Sequence, residues 1–259
     1  FIRNALQLNH GAMHFSEISR FAGVSSTDWS WGALITDMDM DGYKDIFVAN
    51  GIYKDLTDQD YLSLYNNPEA ILGLMKKEKD VIKKLIDAIP SEKLSNYAFQ
   101  NNGNLSFTNQ SSEWGLSTPS FSHGSAYGDL DNDGDPDLVI NNTSMPCFIY
   151  KNHTNGKRNY LKFELKGSNQ NTLAIGSQIT LFKDGQKFYQ EIHPMRGFES
   201  CVDPRPLFGL GSIQIIDSAK VVWPDGKESI LRNINTNTTI KLSQSDNSTW
   251  FKESKSEAK

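Results

Sequence analysis

The chain has 259 residues, 37% of them hydrophobic and 22% charged, with a mean hydropathy of −0.50. These values exclude a disordered chain and a helical membrane protein, and they allow about two domains with cores of their own. Its 26 basic and 31 acidic residues give a formal charge of −5, so the sequence lacks the positive field that a nucleic-acid backbone requires.

The chain opens on Phe1, and FIRNALQLNHG already reads as strand and turn, so we expect a piece of a longer protein. Residues 8–50 then align without a gap to residues 100–142, with roughly a third of positions identical. Asn9 matches Asn101, Gly11 matches Gly103, Phe15 matches Phe107, Gly23 matches Gly115 and Gly32 matches Gly124. In each copy an Asn-x-Gly turn separates short apolar runs, as a tight hairpin requires. Two further apolar runs, Ala33-Leu34-Ile35 with Ile46-Phe47-Val48, and Ala126-Tyr127 with Leu138-Val139-Ile140, bracket an acidic cluster. Each cluster is therefore expected to be a loop joining two strands.

Between the copies the period becomes helical. Thr57 with Asp60 reads as a capping box, and Asn67 with Pro68 as a helix start. Ile71, Leu74, Met75, Ile82, Leu85, Ile86 and Ile89 form an apolar stripe opposed by Lys76, Lys79, Asp80, Lys83, Lys84 and Asp87, until Pro90. The expectation is a helical insertion over about 55–92, packed on the repeats by that stripe, with partner docking as the competing use. From residue 158 to 244 the pattern is all strand, with Leu161 to Leu165 alternating and hairpin turns at Asp184-Gly185 and Pro224-Asp225-Gly226. Residues 245–259 read as a polar tail with Trp250 and Phe251 as anchors. Cys147 and Cys201 allow at most one disulfide.

The acidic clusters share the pattern D-x-D-x-D-G-x-x-D: Asp37, Asp39, Asp41, Gly42, Asp45, and Asp129, Asp131, Asp133, Gly134, Asp137. Carboxylates this dense repel one another unless a cation sits among them. Alternate spacing turns positions 1, 3 and 5 to one point, Gly at 6 permits the turn, position 7 (Tyr43 or Asp135) offers its carbonyl, and position 9 closes the shell. All-oxygen ligation with a high ligand count selects Ca²⁺, giving two expected sites. An EF-hand is excluded, because loop position 12 is Val48 or Ile140 within a strand and no helices flank the loop.

Enzymatic readings are weaker. ITDMDMDG resembles the strand-borne aspartate pair of haloacid-dehalogenase-like phosphohydrolases, but that site needs one copy in a βαβ setting, and here there are two between hairpins. His10 and His14 straddle a turn, no G-x-S-x-G elbow occurs, and Glu17 and Glu191 could pair with other carboxylates as glycosidase catalysts only if folding brought them together. No catalytic constellation emerges, so the chain is expected not to be an enzyme. Trp29 and Trp31, with Phe121 and His123 at the equivalent repeat positions, could line an aromatic platform for sugar stacking beside the acidic loops, or could be blade core.

On these motifs both copies resemble the FG-GAP or VCBS repeat, a blade of the integrin α-chain type of β-propeller. The C-terminal part is similar to the ASPIC/UnbV module, through Ala174-Ile175-Gly176-Ser177, Arg196-Gly197-Phe198, Asp203-Pro204, Phe208-Gly209-Leu210-Gly211 and Trp223-Pro224-Asp225-Gly226. The pairing resembles exported bacterial proteins, many from Bacteroidetes, and cartilage acidic protein. The resemblance implies a mainly β protein: a partial propeller over residues 1–155, whose remaining blades come from the parent chain, then a small sandwich-like β domain. It also implies a calcium-binding interaction module that is extracellular, cell-surface or periplasmic, with a protein or glycan partner and no nucleic acid. A glycan-binding or glycan-processing component is the alternative. Eight of the 31 acidic residues are the loops' side-chain ligands, and without them 26 basic residues face 23 acidic ones. The net negative charge is thus concentrated in the two loops.

Overall fold

A computed structural model describes residues 3–69, 71–72, 80–154, 156–245 and 249–250. The expectations on Leu74, Met75, Lys76, Lys79 and Phe251 lie outside the described residues. The chain is mainly β. Strands β1 (Gln7–Asn9) and β2 (Phe15–Glu17), a short helix α1 (Ser19–Ala22), β3 (Ser30–Thr36) and β4 (Asp45–Asn50) make the first copy. Helices α2 (Gln59–Tyr65) and α3 (Val81–Asp87) follow. The second copy holds β5 (Tyr97–Asn101), β6 (Phe107–Asn109), β7 (Ser122–Gly128) and β8 (Asp137–Asn142), and β9 (Phe148–Tyr150) comes after it.

The repeat holds at the level of single dihedral angles. Strands β3 and β4 coincide with β7 and β8 under the sequence alignment, and the bulge between Ser30 and Ala33 recurs between Ser122 and Ser125. Positive φ recurs at Gly11 and Gly103, Met40 and Asn132, and Gly42 and Gly134. The backbone bond from Val24 N–H to Ser19 O recurs from Leu116 N–H to Ser111 O.

The sequence copy is nevertheless not the structural blade. One sheet has the order β3-β4-β5-β6, so the first copy's inner strands pair with the second copy's opening hairpin. The next sheet, β7-β8-β9, is built the same way, and β1-β2 stands as a separate hairpin. Every residue of β4 is buried, because both faces of this sheet are covered. Leu34, Phe47, Ala49 and Ala98 pack with Leu138 and Ile140 of the second sheet, while Ile46, Val48 and Phe99 pack on Ala22 and Val24. The arrangement is a partial β-propeller.

The insertion departs from expectation. Asp58, not Thr57, caps α2, its Oδ1 accepting the Tyr61 N–H at 2.8 Å. Asn67 does cap the helical residues that begin at Pro68, accepting the Glu69 N–H at 3.1 Å. The described part of the apolar stripe is largely uncovered: Ile82 is 76% exposed and Ile86 50%, Ile71 and Leu85 are half-buried, and of the described stripe residues only Ile89 is buried. At the neck, the Ile52 and Glu92 bridge and the Asp55 N–H to Pro90 O bond bring the ends of the insertion together.

The second domain is a two-sheet sandwich. Strands β10 (Tyr160–Lys166), β13 (Leu207–Gly209) and β16 (Thr238–Ser243) form one sheet. The other has β11 (Gln178–Lys183), β12 (Gln186–Glu191), β14 (Ile215–Val222), β15 (Lys227–Asn235) and β17 (Thr249–Trp250). Leu161, Phe163, Ile179, Leu181, Val221 and Trp223 fill the space between them. The Asp184-Gly185 turn has both residues at positive φ, the two-residue hairpin its sequence requires. Cys147 and Cys201 are both exposed and unpaired.

The sandwich is docked on the blades. Its loop at Phe198 wedges between the equivalent glycines of the two copies. A Cβ on Gly32 would lie 2.6 Å from the Phe198 nitrogen, and one on Gly124 3.0 Å from the Phe198 carbonyl oxygen. The repeated glycine is thus a slot for one residue of the other domain.

Candidate metal centres

Each acidic loop leaves an inner strand, turns through a left-handed residue and the glycine, and enters the second strand. In loop 1, Asp37 accepts the N–H groups of Asp41 (3.1 Å) and Gly42 (2.8 Å). Asp45 accepts Met38 N–H at 2.8 Å and, from β5, Asn101 N–H at 2.9 Å. Loop 2 repeats these bonds: Asp129 accepts Asp133 N–H at 3.0 Å, and Asp137 accepts Leu130 N–H at 3.0 Å and, from just past β9, Asn152 N–H at 2.9 Å. The carboxylates are held by backbone before any ion arrives.

Carboxylate oxygens of Asp37, Asp39 and Asp45 lie within 4.8 Å of one another, as do those of Asp129, Asp131 and Asp133. Asp41 and Asp137 fall outside these groupings. Asp41 turns to the Tyr43 N–H (2.8 Å), and Asp137 serves the two N–H groups just named. Tyr43 is exposed, and the Asp135 carboxylate accepts the Thr154 hydroxyl at 3.1 Å, away from the loop.

The donors fit a hard cation. Loop 1 buries Asp37 and Asp45. Burial, with the charges of Asp45, Asp41 and Asp39 added, pushes the Asp37 carboxyl up to about 8, and burial pushes Asp45 up to about 7. Carboxylates this uncomfortable in ionised form, with only oxygen donors around them, suit Ca²⁺. Asp37 and Asp39 with Asp45 or Asp41 would hold it in loop 1, and Asp129, Asp131 and Asp133 in loop 2.

Several residues that shape the centres carry no motif of their own. The end of β5 and the end of β9 with the two residues after it carry a matching triplet, Phe99-Gln100-Asn101 and Tyr150-Lys151-Asn152. Its asparagine side chain also donates to the loop, Asn101 Nδ2 to Lys44 O (2.9 Å) and Asn152 Nδ2 to Pro136 O (3.2 Å). Its middle residue meets the second loop carboxylate, Gln100 Nε2 on Asp39 at 2.7 Å and Lys151 on Asp131. Asn9 in Leu8-Asn9-His10 is the visible clue, since it heads the same turn. Lys162 is hidden in the sequence because β10 alternates as a half-exposed strand, yet Lys162 is 2% exposed and its Nζ is 2.8 Å from Asp129 Oδ2.

The expected aromatic platform is split. Trp31 and His123 come together with ring centroids 4.9 Å apart, and Trp29 lies 6.4 Å from Trp31. Phe121 is buried, edge-on to Tyr53. The cluster is not beside the acidic loops: Trp31 and Asp37 sit at opposite ends of β3, about 20 Å apart at 3.3 Å per residue. Arg196 donates to the His193 carbonyl, and Asp203 pairs with Arg205, so neither stands as a lone binding group.

Residues 88–140 match the family model for an FG-GAP-like repeat, and residues 167–249 match that for ASPIC and UnbV. The chain carries an FG-GAP-like repeat followed by an ASPIC/UnbV domain. The ASPIC/UnbV match begins within the sandwich and includes the Phe198 wedge, and the FG-GAP-like match includes loop 2 up to β8. FG-GAP-like repeats occur in extracellular or surface proteins, and the two domains together suggest an adhesion-like or interaction module. Among the described residues no helix is long and apolar enough to cross a membrane. No curated protein matches the chain.

Proposed function

We propose that the chain is a calcium-binding, non-catalytic interaction module of the extracellular space, cell surface or periplasm, in which Ca²⁺ rigidifies the blades and the partner is a surface protein or glycan. The observation that carries the reading is the paired loop geometry: two sets of three carboxylates converging within 4.8 Å on matched scaffolds. Extracellular modules bind Ca²⁺ with Kd on the order of 10⁻⁴ to 10⁻³ M, so such loops fill outside a cell. The outer edge of β1, which among the described residues pairs only with β2, supports further blades supplied by a longer parent chain.

The test is thermal melting in millimolar Ca²⁺ against chelator, with calorimetry for stoichiometry. Bound Ca²⁺ raises the melting temperature by mass action, and Asp39→Ala and Asp131→Ala each remove one site. Equal melting temperatures in the two buffers would sink the assignment. A second reading, glycan capture, is favoured by a cleft of about 470 Å³ lined by Trp31, His123, Asn141, Thr143, Phe198 and Glu199, where rings adjoin polar groups. A polysaccharide panel scored for binding and for released reducing ends separates capture from turnover.

A further inference from the structure

The two loops share a backbone but not an electrostatic setting. In loop 2, the Lys162 ammonium lies 2.8 Å from Asp129 Oδ2 and 3.4 Å from Asn132 Oδ1, enclosed where the sandwich meets the loop. A second ammonium, Lys151, pairs with Asp131 and lies 3.4 Å from Asp133 Oδ2. Two of the chain's own cations therefore touch all three converging carboxylates.

Loop 1 has neither. The position equivalent to Lys151 is Gln100, a neutral donor on Asp39. The sandwich strand that meets Asp37 presents Gly209, which lies opposite Tyr160 in the β10 and β13 pairing, and so brings no side chain at all. Among the described residues no salt bridge reaches Asp37, Asp39, Asp41 or Asp45; the Arg158 guanidinium acts on Asp41 and the Lys44 ammonium on Asp37 only from beyond ion-pair contact, and Lys44 donates to the Tyr189 carbonyl at 3.3 Å.

We infer that the loops are unequal sites for a hard divalent cation: loop 1, which has no cation of the chain in ion-pair contact with its carboxylates, is the high-affinity site, whereas loop 2 is partly satisfied by Lys151 and Lys162 and binds the ion weakly. This rests on the cation-binding reading proposed above. It also places the stronger site outside the segment that matches the FG-GAP-like family model, residues 88–140. The physical reason is direct. A fixed positive charge within about 4 Å of the carboxylates repels an incoming divalent ion and shields the ligands from it, and the effect of one unit charge at that distance is about tenfold in affinity or more even at high dielectric.

Calorimetric titration of the full chain with Ca²⁺, and with luminescent Tb³⁺ as a second probe, tests this. The expected result is two binding steps at least about tenfold apart, the tighter abolished by Asp39→Ala and the weaker by Asp131→Ala. The decisive variants exchange the matched positions. Lys151→Gln, on a half-exposed side chain, tightens the weak step, and Gln100→Lys weakens the tight one, each about tenfold. Lys162→Met tightens the weak step as well, but it opens a buried contact, so the inference stands or falls on the exchange at positions 100 and 151. Two steps of equal affinity, or exchange variants that leave both steps unmoved, overturn the inequality while leaving cation binding intact. Absence of any binding step in the wild-type chain overturns both.

Discussion

Gly209 lies so close to Asp37 that a Cβ built on the glycine would overlap the carboxylate Oδ2. The neighbouring Gly211 N–H donates to Met40 O at 3.0 Å. The glycines of the Phe208-Gly209-Leu210-Gly211 run thus let a strand of the sandwich lie flat on loop 1. Gly209→Ala should displace Asp37, lower stability by about 1–3 kcal/mol as overpacking does, and weaken the tight Ca²⁺ step. Melting and titration of the variant check this; an unchanged titration would show that the sandwich does not set the loop.

The wedge at Phe198 should be coupled to its slot. Phe198→Ala removes the ring that packs 4.9 Å from Trp31 and should cost about 1–3 kcal/mol for a half-buried aromatic. Gly32→Ala drives a methyl into the Phe198 backbone and should cost a similar amount. If docking carries both losses, the double variant loses less than the two single losses together. Strict additivity in a denaturation cycle would mean that the contact is incidental.

The fold was legible where local chemistry decides it. Turn glycines at positive φ, the strand alternation and the acidic loops are all written in short stretches, and the repeat multiplied the signal. What escaped depends on partners far along the chain. Nothing local distinguishes Lys162 from the exposed lysines of other strands, because its burial is created by Asp129, 33 positions earlier. The slot role of Gly32 and Gly124 needs Phe198, and the division into blades needs strand pairing across the copy boundary. The helical stripe misled for the opposite reason: its period correctly marks helix but does not say what covers the apolar face.

Stability without metal should depend on pH in an unusual direction. Asp37 and Asp45 have native values of about 8 and about 7, above the ordinary 3.8. Between those limits the native state holds more protons than the unfolded chain, so their contribution is fully present below about 3.8 and is lost as pH rises through 7 to 8. In chelator the melting temperature should therefore fall from pH 5 to pH 8. Saturating Ca²⁺ keeps the ligands ionised throughout and should flatten that slope, with proton release on binding at pH 6. A chelated protein that gains stability across the window would contradict the burial argument.

The ninth loop position should matter to the fold even when no ion is bound. Asp45 accepts one N–H from its own loop and one from β5, and Asp137 does the same between loop 2 and Asn152, just past β9. An asparagine offers one acceptor oxygen and sets an NH₂ group against the second N–H, leaving a buried donor unpaired. Asp45→Asn and Asp137→Asn should each cost about 1–3 kcal/mol in chelator. Asp39→Asn differs, since Asp39 is half-buried: its amide oxygen can keep the Asp41 N–H, and the donor it gives up is the partly exposed Gln100 side-chain amide, which water can meet. It should leave the chelated protein within about 1 kcal/mol of wild type while weakening Ca²⁺ binding at loop 1. Urea denaturation of the three variants in chelator, followed by Ca²⁺ titration, separates the two effects. Equal losses of stability for Asp39→Asn and Asp45→Asn would mean that the ninth position does not pin the loop to the following strand.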